Sequence, residues 1–196
     1  MYKIIGDSGF MRVISGMARG TKLYTLEGSN TRPTLDRVKE ALFNIIQYDL
    51  EGSYILDLFA GSGSLGIESL SRKAKFCAFC DNSYEAVSII KKNIEKTRFN
   101  DLSKVYNMAY DKALLKMKDD DLKFDIVFLD PPYETDYIQK SLELIIKYEL
   151  LNDDAILILE TDNQDRILKE IEKIQLDVRD VRKYGRVSLI FLKRKG

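Results

Sequence analysis

Two groups of residues in this chain have the types and spacing to do chemistry. In Asp57-Leu-Phe59-Ala-Gly61-Ser62-Gly63-Ser-Leu-Gly66, glycines recur where an apolar run gives way to a helical one. Backbone without Cβ atoms can approach a ligand closely there, and the segment reads as a nucleotide-cofactor loop. Asp81, 18 residues past Gly63 at the end of the next apolar run, adds a carboxylate able to accept both hydroxyl protons of an adenosine ribose. The second group, Asp130-Pro131-Pro132-Tyr133, closes the apolar run from Phe124 to Leu129. Two prolines hold the backbone in an extended bend and remove two N–H groups, leaving the Asp130 side chain and nearby carbonyls as acceptors around one point. Acceptors call for a donor, and the exocyclic amine of a base suits them. Accepting its hydrogens turns the nitrogen lone pair out of the ring plane toward an electrophile, while Tyr133 can stack on the flat base.

Composition narrows the chemistry further. The chain has 196 residues, no His and no Trp, which removes Ser-His-Asp and Cys-His catalysis and every His-ligated metal site. Its two cysteines, Cys77 and Cys80, lie in an apolar stretch with no second pair, so C-x-x-C reads as two plain core thiols and a reducing, cytoplasmic setting is expected. No apolar run is long enough for a membrane span. Lys and Arg (31) balance Asp and Glu (31), but unevenly: residues 1–40 carry +3, residues 182–196 carry +6, and the middle carries the opposing −9. Basic ends can hold phosphates. By spelling, Gly61-x-Gly63-x-x-Gly66 serves NAD as well as S-adenosylmethionine, so the loop leaves that choice open.

Periodicity gives the elements that must position these groups. From residue 51 onward apolar runs alternate with helical patterns, which means a largely parallel sheet covered by helices. Strands are expected at about 54–59, 76–80, 104–107, 124–129, 155–160, 175–181 and 186–193, and helices at 64–72, 84–97, 111–117, 135–147 and 163–173. Residues 11–50 differ. Two short strand-like runs precede an amphipathic helix over 36–47, with Val38, Ala41, Leu42, Ile45 and Ile46 on one face, Pro33 at its start and Thr34 as candidate N-cap. The expected organisation is therefore an N-terminal extension, 11–50, packed on a core, 51–196. Residues 1–10 read as an extension without catalytic role.

Asp57-Leu-Phe-Ala-Gly-Ser-Gly63 together with Asp130-Pro-Pro-Tyr133 resembles the class I S-adenosylmethionine-dependent methyltransferases that act on amino groups. Arg19-Gly-Thr-Lys22-Leu23 and Arg32-Pro-Thr-Leu-Asp-Arg37-Val-Lys39-Glu-Ala-Leu-Phe-Asn44 are similar to the signature of the RsmD family, bacterial 16S ribosomal RNA guanine-N2 methyltransferases. The resemblance covers Met11 to about Lys193. It implies an α/β fold with a Rossmann-like seven-stranded mixed sheet, S-adenosylmethionine as methyl donor, no metal, and a guanine of 16S RNA as substrate, methylated by a monomer acting on small-subunit particles. Asp57, Phe59, Gly61, Ser62, Gly63, Asp81, Asn82, Ala109 and Tyr110 then bind the cofactor. Asp130, Pro131, Pro132 and Tyr133 are catalytic, and Arg19, Lys22, Arg32, Thr34, Arg37, Lys39 and Arg186 grip RNA. Two departures stand out. Where the family often has a second acid two residues after the first, this chain has Ser83 after Asp81. Where it often has Asp or Asn followed by Ala near adenine, this chain has Ala109-Tyr110, leaving adenine to backbone or Asp111. Other readings are the same chemistry on adenine-N6 of DNA or a protein glutamine, an NAD-dependent oxidoreductase, or a non-catalytic RNA-binding assembly factor.

Overall fold

The computed structural model describes residues 11–26, 33–132 and 136–195. Seven strands form one sheet in the order β3-β2-β1-β4-β5-β7-β6. They are β1 (Tyr54–Asp57), β2 (Phe76–Asp81), β3 (Ser103–Asn107), β4 (Phe124–Leu129), β5 (Leu151–Thr161), β6 (Leu176–Tyr184) and β7 (Val187–Arg194). Strands β1 to β5 run parallel; β7 runs antiparallel to both β5 and β6, so the sheet is mixed. Parallel neighbours need crossovers, and helices supply them.

Those helices are α1 (Pro33–Ile45), α2 (Ser64–Ser71), α3 (Tyr84–Thr97), α4 (Tyr110–Asp119), α5 (Tyr137–Lys147) and α6 (Gln164–Ile171). Strand residues alternate between the two faces. Ile55, Phe79, Phe128 and Ile158 pack with Leu42, Phe43, Ile67 and Ile90 of α1 to α3. Leu56, Leu129 and Leu159 pack with Leu114, Leu142 and Ile167 of α4 to α6. The result is three layers, and the inner parallel strands β1, β2 and β4, covered on both faces, are mostly apolar, which is why the sequence shows them as runs, whereas the edge strand β3 carries Ser103, Lys104 and Asn107.

Helix α1 starts at Pro33, a residue whose fixed φ and missing N–H suit a first helical turn. Thr34 thus lies inside the helix and is not its N-cap, a correction to the sequence reading. Residues 11–26 make one antiparallel bridge, Arg12 with Lys22, instead of two strands. Val13 and Leu23 bury their side chains in the same core as α1 and the sheet, so the N-terminal segment and the sheet share one interior. Among the described residues no helix is long and apolar enough to cross a membrane.

Two buried polar side chains fasten this segment. Glu68, fully buried on α2, accepts hydrogen bonds from the Ile14 and Ser15 amides (2.7 and 3.0 Å) and pairs with Lys39 (3.2 Å) and Arg72 (2.8 Å). Asn93, fully buried on α3, accepts from the Tyr24 amide (2.8 Å) and donates to the carbonyls of Tyr24 and Ser62, each at 2.9 Å. A buried charge or amide is tolerated only when its partners are complete, as they are here.

Candidate active site

Strands β1, β2, β4 and β5 end at one edge of the sheet, where parallel α/β proteins place ligands. Past Asp57 the chain turns through the glycine loop into α2. Gly61 and Gly63 have φ of +54° and +76°, values that Cβ-bearing residues rarely adopt. A Cβ at Gly61 would meet nothing within 4 Å, leaving its surroundings open to a ligand, whereas one at Gly66 would fall 2.3 Å from the Phe79 ring and 2.6 Å from the Cys77 sulfur. The third glycine therefore serves close packing of α2 on β2, and the first serves access.

Two carboxylates hold the loop in shape. Asp57, almost fully buried, accepts from the Gly66 amide (3.0 Å), and burial, with the nearby Asp81 charge, pushes its carboxyl up to about 7 despite that bond and the Lys39 charge. Asp81 accepts from Gly61 N–H at 2.9 Å with one oxygen and from Ser83 N–H at 2.8 Å with the other. Each oxygen keeps lone-pair capacity, so two ribose hydroxyls remain within its means. Asn82 lies beside it, its carbonyl near the Asn107 side chain (3.5 Å). Ser62 is tied to the N-terminal segment through the Asn93 bond and a 3.5 Å contact of its hydroxyl with the Met11 sulfur.

On the other side of the loop stand three aromatic rings. Phe59 packs on Tyr110 (centroids 5.6 Å apart) and lies parallel to Tyr137 at 6.0 Å, and Tyr110 meets Tyr137 at 5.1 Å. Ala109 leads into α4 and Tyr110 opens it, so this pair faces the loop from β3's end. Tyr137 was not among the sequence expectations; a Tyr opening a helix gives no signal until the fold brings α5 against Phe59.

Asp130 follows Leu129 at the end of β4, next to β1 and β5. It is reached by solvent, yet the protein around it withholds enough water, and Glu160 and Asp57 lie near enough, that its carboxyl is held well above the usual range. Pro131 is buried and Pro132 exposed; Tyr133 lies outside the described residues. Glu160, at the same edge on β5, was also missed, although its signal, an acid ending an apolar strand, is the one that singled out Asp130.

The basic residues separate. Arg37 and Arg186 are exposed. Arg186 sits in the β6–β7 turn, which the Thr161 to Ser188 register places at the edge with Asp130. Lys22 is exposed on the N-terminal bridge. Arg19 is exposed in a turn held to Ser71, the far end of α2 from the glycines. Lys39, read from sequence as an RNA contact, is 6% exposed and bonded to Glu68 and the Arg12 carbonyl, because its helix face meets α2; it fastens the fold and is not presented to a ligand. Arg32 lies outside the described residues, and Thr34 falls within the first turn of α1. Cys77 and Cys80 are buried and unpaired. Burial first, then the Asp81 charge, pushes the Cys80 thiol up to about 12, far from a nucleophile.

The sheet order decides between the cofactors that the loop left open. A dinucleotide fold runs 3-2-1-4-5-6 in parallel, whereas here an antiparallel β7 is inserted between β5 and β6. With the glycine loop and the β2 acid, this is the class I methyltransferase fold. The family model described as conserved hypothetical protein 95 matches residues 11–193, and the chain belongs to that family, the RsmD family. It is 37% identical over 155 residues to ribosomal RNA small subunit methyltransferase D of Haemophilus influenzae (79% of this chain, 80% of the relative). It is 35% identical over 186 residues to YlbH of Bacillus subtilis (95% and 100%). The solved structure of yhhF from Escherichia coli superposes with a TM-score of 0.81 at 26% identity, covering 96% of this chain and 99% of that one.

Proposed function

We propose that the protein transfers a methyl group from S-adenosylmethionine to the exocyclic N2 amine of a guanine in 16S ribosomal RNA, acting as a cytoplasmic monomer on small-subunit particles. The observation that carries this is Asp130-Pro131-Pro132 at the end of β4, beside the Gly61 to Gly63 loop, in a chain whose relatives are named small-subunit RNA methyltransferases. The residues fit the donor: open backbone at Gly61, ribose-directed lone pairs on Asp81, and the Phe59 and Tyr110 rings beside the loop. S-adenosylmethionine supplies an activated methyl group on a sulfonium.

The chain's own contribution is position. Asp130 and the Pro131 carbonyl accept the amine hydrogens and aim the nitrogen lone pair; most of the rate gain comes from that alignment. The N–C bond forms as the C–S bond breaks, and the nitrogen loses its proton to bulk water. Tyr133 stacks on the base, which must be unpaired or flipped to enter. Arg186 holds a phosphate at the edge with Asp130, and Arg37, Lys22 and Arg19 offer further contacts along the RNA. Labelled S-adenosylmethionine offered with unmodified small subunits, free 16S RNA and duplex DNA tests this, read by nucleoside mass spectrometry. N2-methylguanosine from the ribosomal substrates alone is the expected result. Label in DNA adenine or in protein would overturn the substrate, and label nowhere would overturn the enzyme.

A further inference from the structure

Resting on that reading, we propose that Glu160 reads the Watson–Crick edge of the target base: its carboxylate accepts guanine N1–H while Asp130 and the Pro131 carbonyl hold the N2 amine. Parallel pairing of β4 with β5 runs in register through Leu129 and Leu159, so the next residues, Asp130 and Glu160, end up side by side at the catalytic edge. Glu160 shares a strand face with Ile158 and Ile156 and pairs on β7 with Leu189, so its side chain lies on the sheet face that also carries Asp57 and that the N-terminal segment covers. It is half-buried, and no described residue gives its side chain a hydrogen bond or an ion pair. Burial raises its carboxyl, as it does that of Asp130. A partly desolvated carboxylate with no donor of its own is costly unless a ligand completes it.

Guanine is the base that can. Its N1–H and N2 amine are adjacent donors on one edge, matching two adjacent acceptors; adenine presents a lone pair at N1, which would face the Glu160 carboxylate. A site built around a donor rejects the analogue lacking it more strongly than shape alone does. Glu160 would thus select guanine over other purines, and Asp130 would serve the amine whichever purine carried it.

The test uses small-subunit particles reconstituted with RNA carrying 2-aminopurine at the mapped guanine. This base keeps the 2-amine but has an acceptor at N1. Wild-type protein should methylate guanine at least ~100-fold better than 2-aminopurine by kcat/KM. Glu160→Gln, whose amide N–H can pair with an N1 acceptor, should bring the two within about tenfold, with S-adenosylmethionine affinity unchanged by calorimetry. Equal methylation of the two bases by the wild type overturns the proposal, and so does an unchanged preference in Glu160→Gln. A wild type that methylates no guanine in any ribosomal substrate overturns the proposed function instead, which keeps the two failures distinct.

Discussion

Asp57 and Asp130 lie on one edge and differ in what they hold. Asp57 is committed to the fold through Gly66, and its folded carboxyl near 7 stands above the unfolded value of 3.8. The folded state therefore binds the extra proton between those values, so this group's contribution to stability is greatest below about pH 4 and declines as pH rises to 7, by about 4 kcal/mol for a group this buried. Urea titrations at pH 5 and pH 8 should show the part of that decline above pH 5, about 3 kcal/mol, in the wild type and a smaller one in Asp57→Asn; equal declines would contradict it. Asp130, in the proposed function, holds the substrate amine. Asp130→Ala should lower methyl transfer by about three to four orders of magnitude, on the scale of losing a principal positioning group, while S-adenosylmethionine binding stays near the wild-type value. Retained activity would refute its role. Both acids were legible in the sequence, as were Gly61, Gly63 and Asp81, since each sits at a strand end beside residues of unusual type. Tyr137 and Asn93 were not singled out, because what makes each notable is a neighbour from another element, whereas Glu160 carried the same strand-end signal as Asp130 and lacked only the prolines beside it.

Strands and helices were placed by periodicity to within a few residues over most of the chain, because covered parallel strands and amphipathic helices differ so plainly in pattern. The exceptions have physical reasons. β5 extends back to Leu151, where alternation is weak, and β1 stops at Asp57 because the chain must turn at the glycines. At this scale the least legible feature is how α1 and α2 are joined, since Lys39 on a helix reads as a solvated charge until its partner is known. Glu68 holds both helices and the Ile14 and Ser15 amides. Glu68→Ala should destabilise the protein by about 3 to 5 kcal/mol, the usual consequence of stranding a buried cation. Lys39→Met should destabilise it less, because Glu68 keeps Arg72 and two amides. Chemical denaturation of both variants gives the order, and the reverse order would remove Glu68 from the centre of this junction.

The whole molecule combines a net charge of zero with an exposed arginine, Arg186, at the edge that carries Asp130. Arg186 lies in the β6–β7 turn at that edge, where the proposed function has it hold an RNA phosphate. Arg186→Ala should weaken RNA binding at low salt and flatten the dependence of log affinity on log salt by about 0.7 to 0.9, the contribution of one phosphate contact. Filter binding across a salt series measures this, and an unchanged slope would place Arg186 off the path.

The insertion of β7 between β5 and β6 also orders the events of synthesis. The ribosome makes β6 before β7, yet among the described residues β6 pairs only with β7. A nascent chain that has emerged through Tyr184 carries five parallel strands that can assemble, an open β5 edge, and a sixth strand with nowhere to dock. Until Val187 to Arg194 emerges and slides between them, that edge is exposed to pairing with other chains.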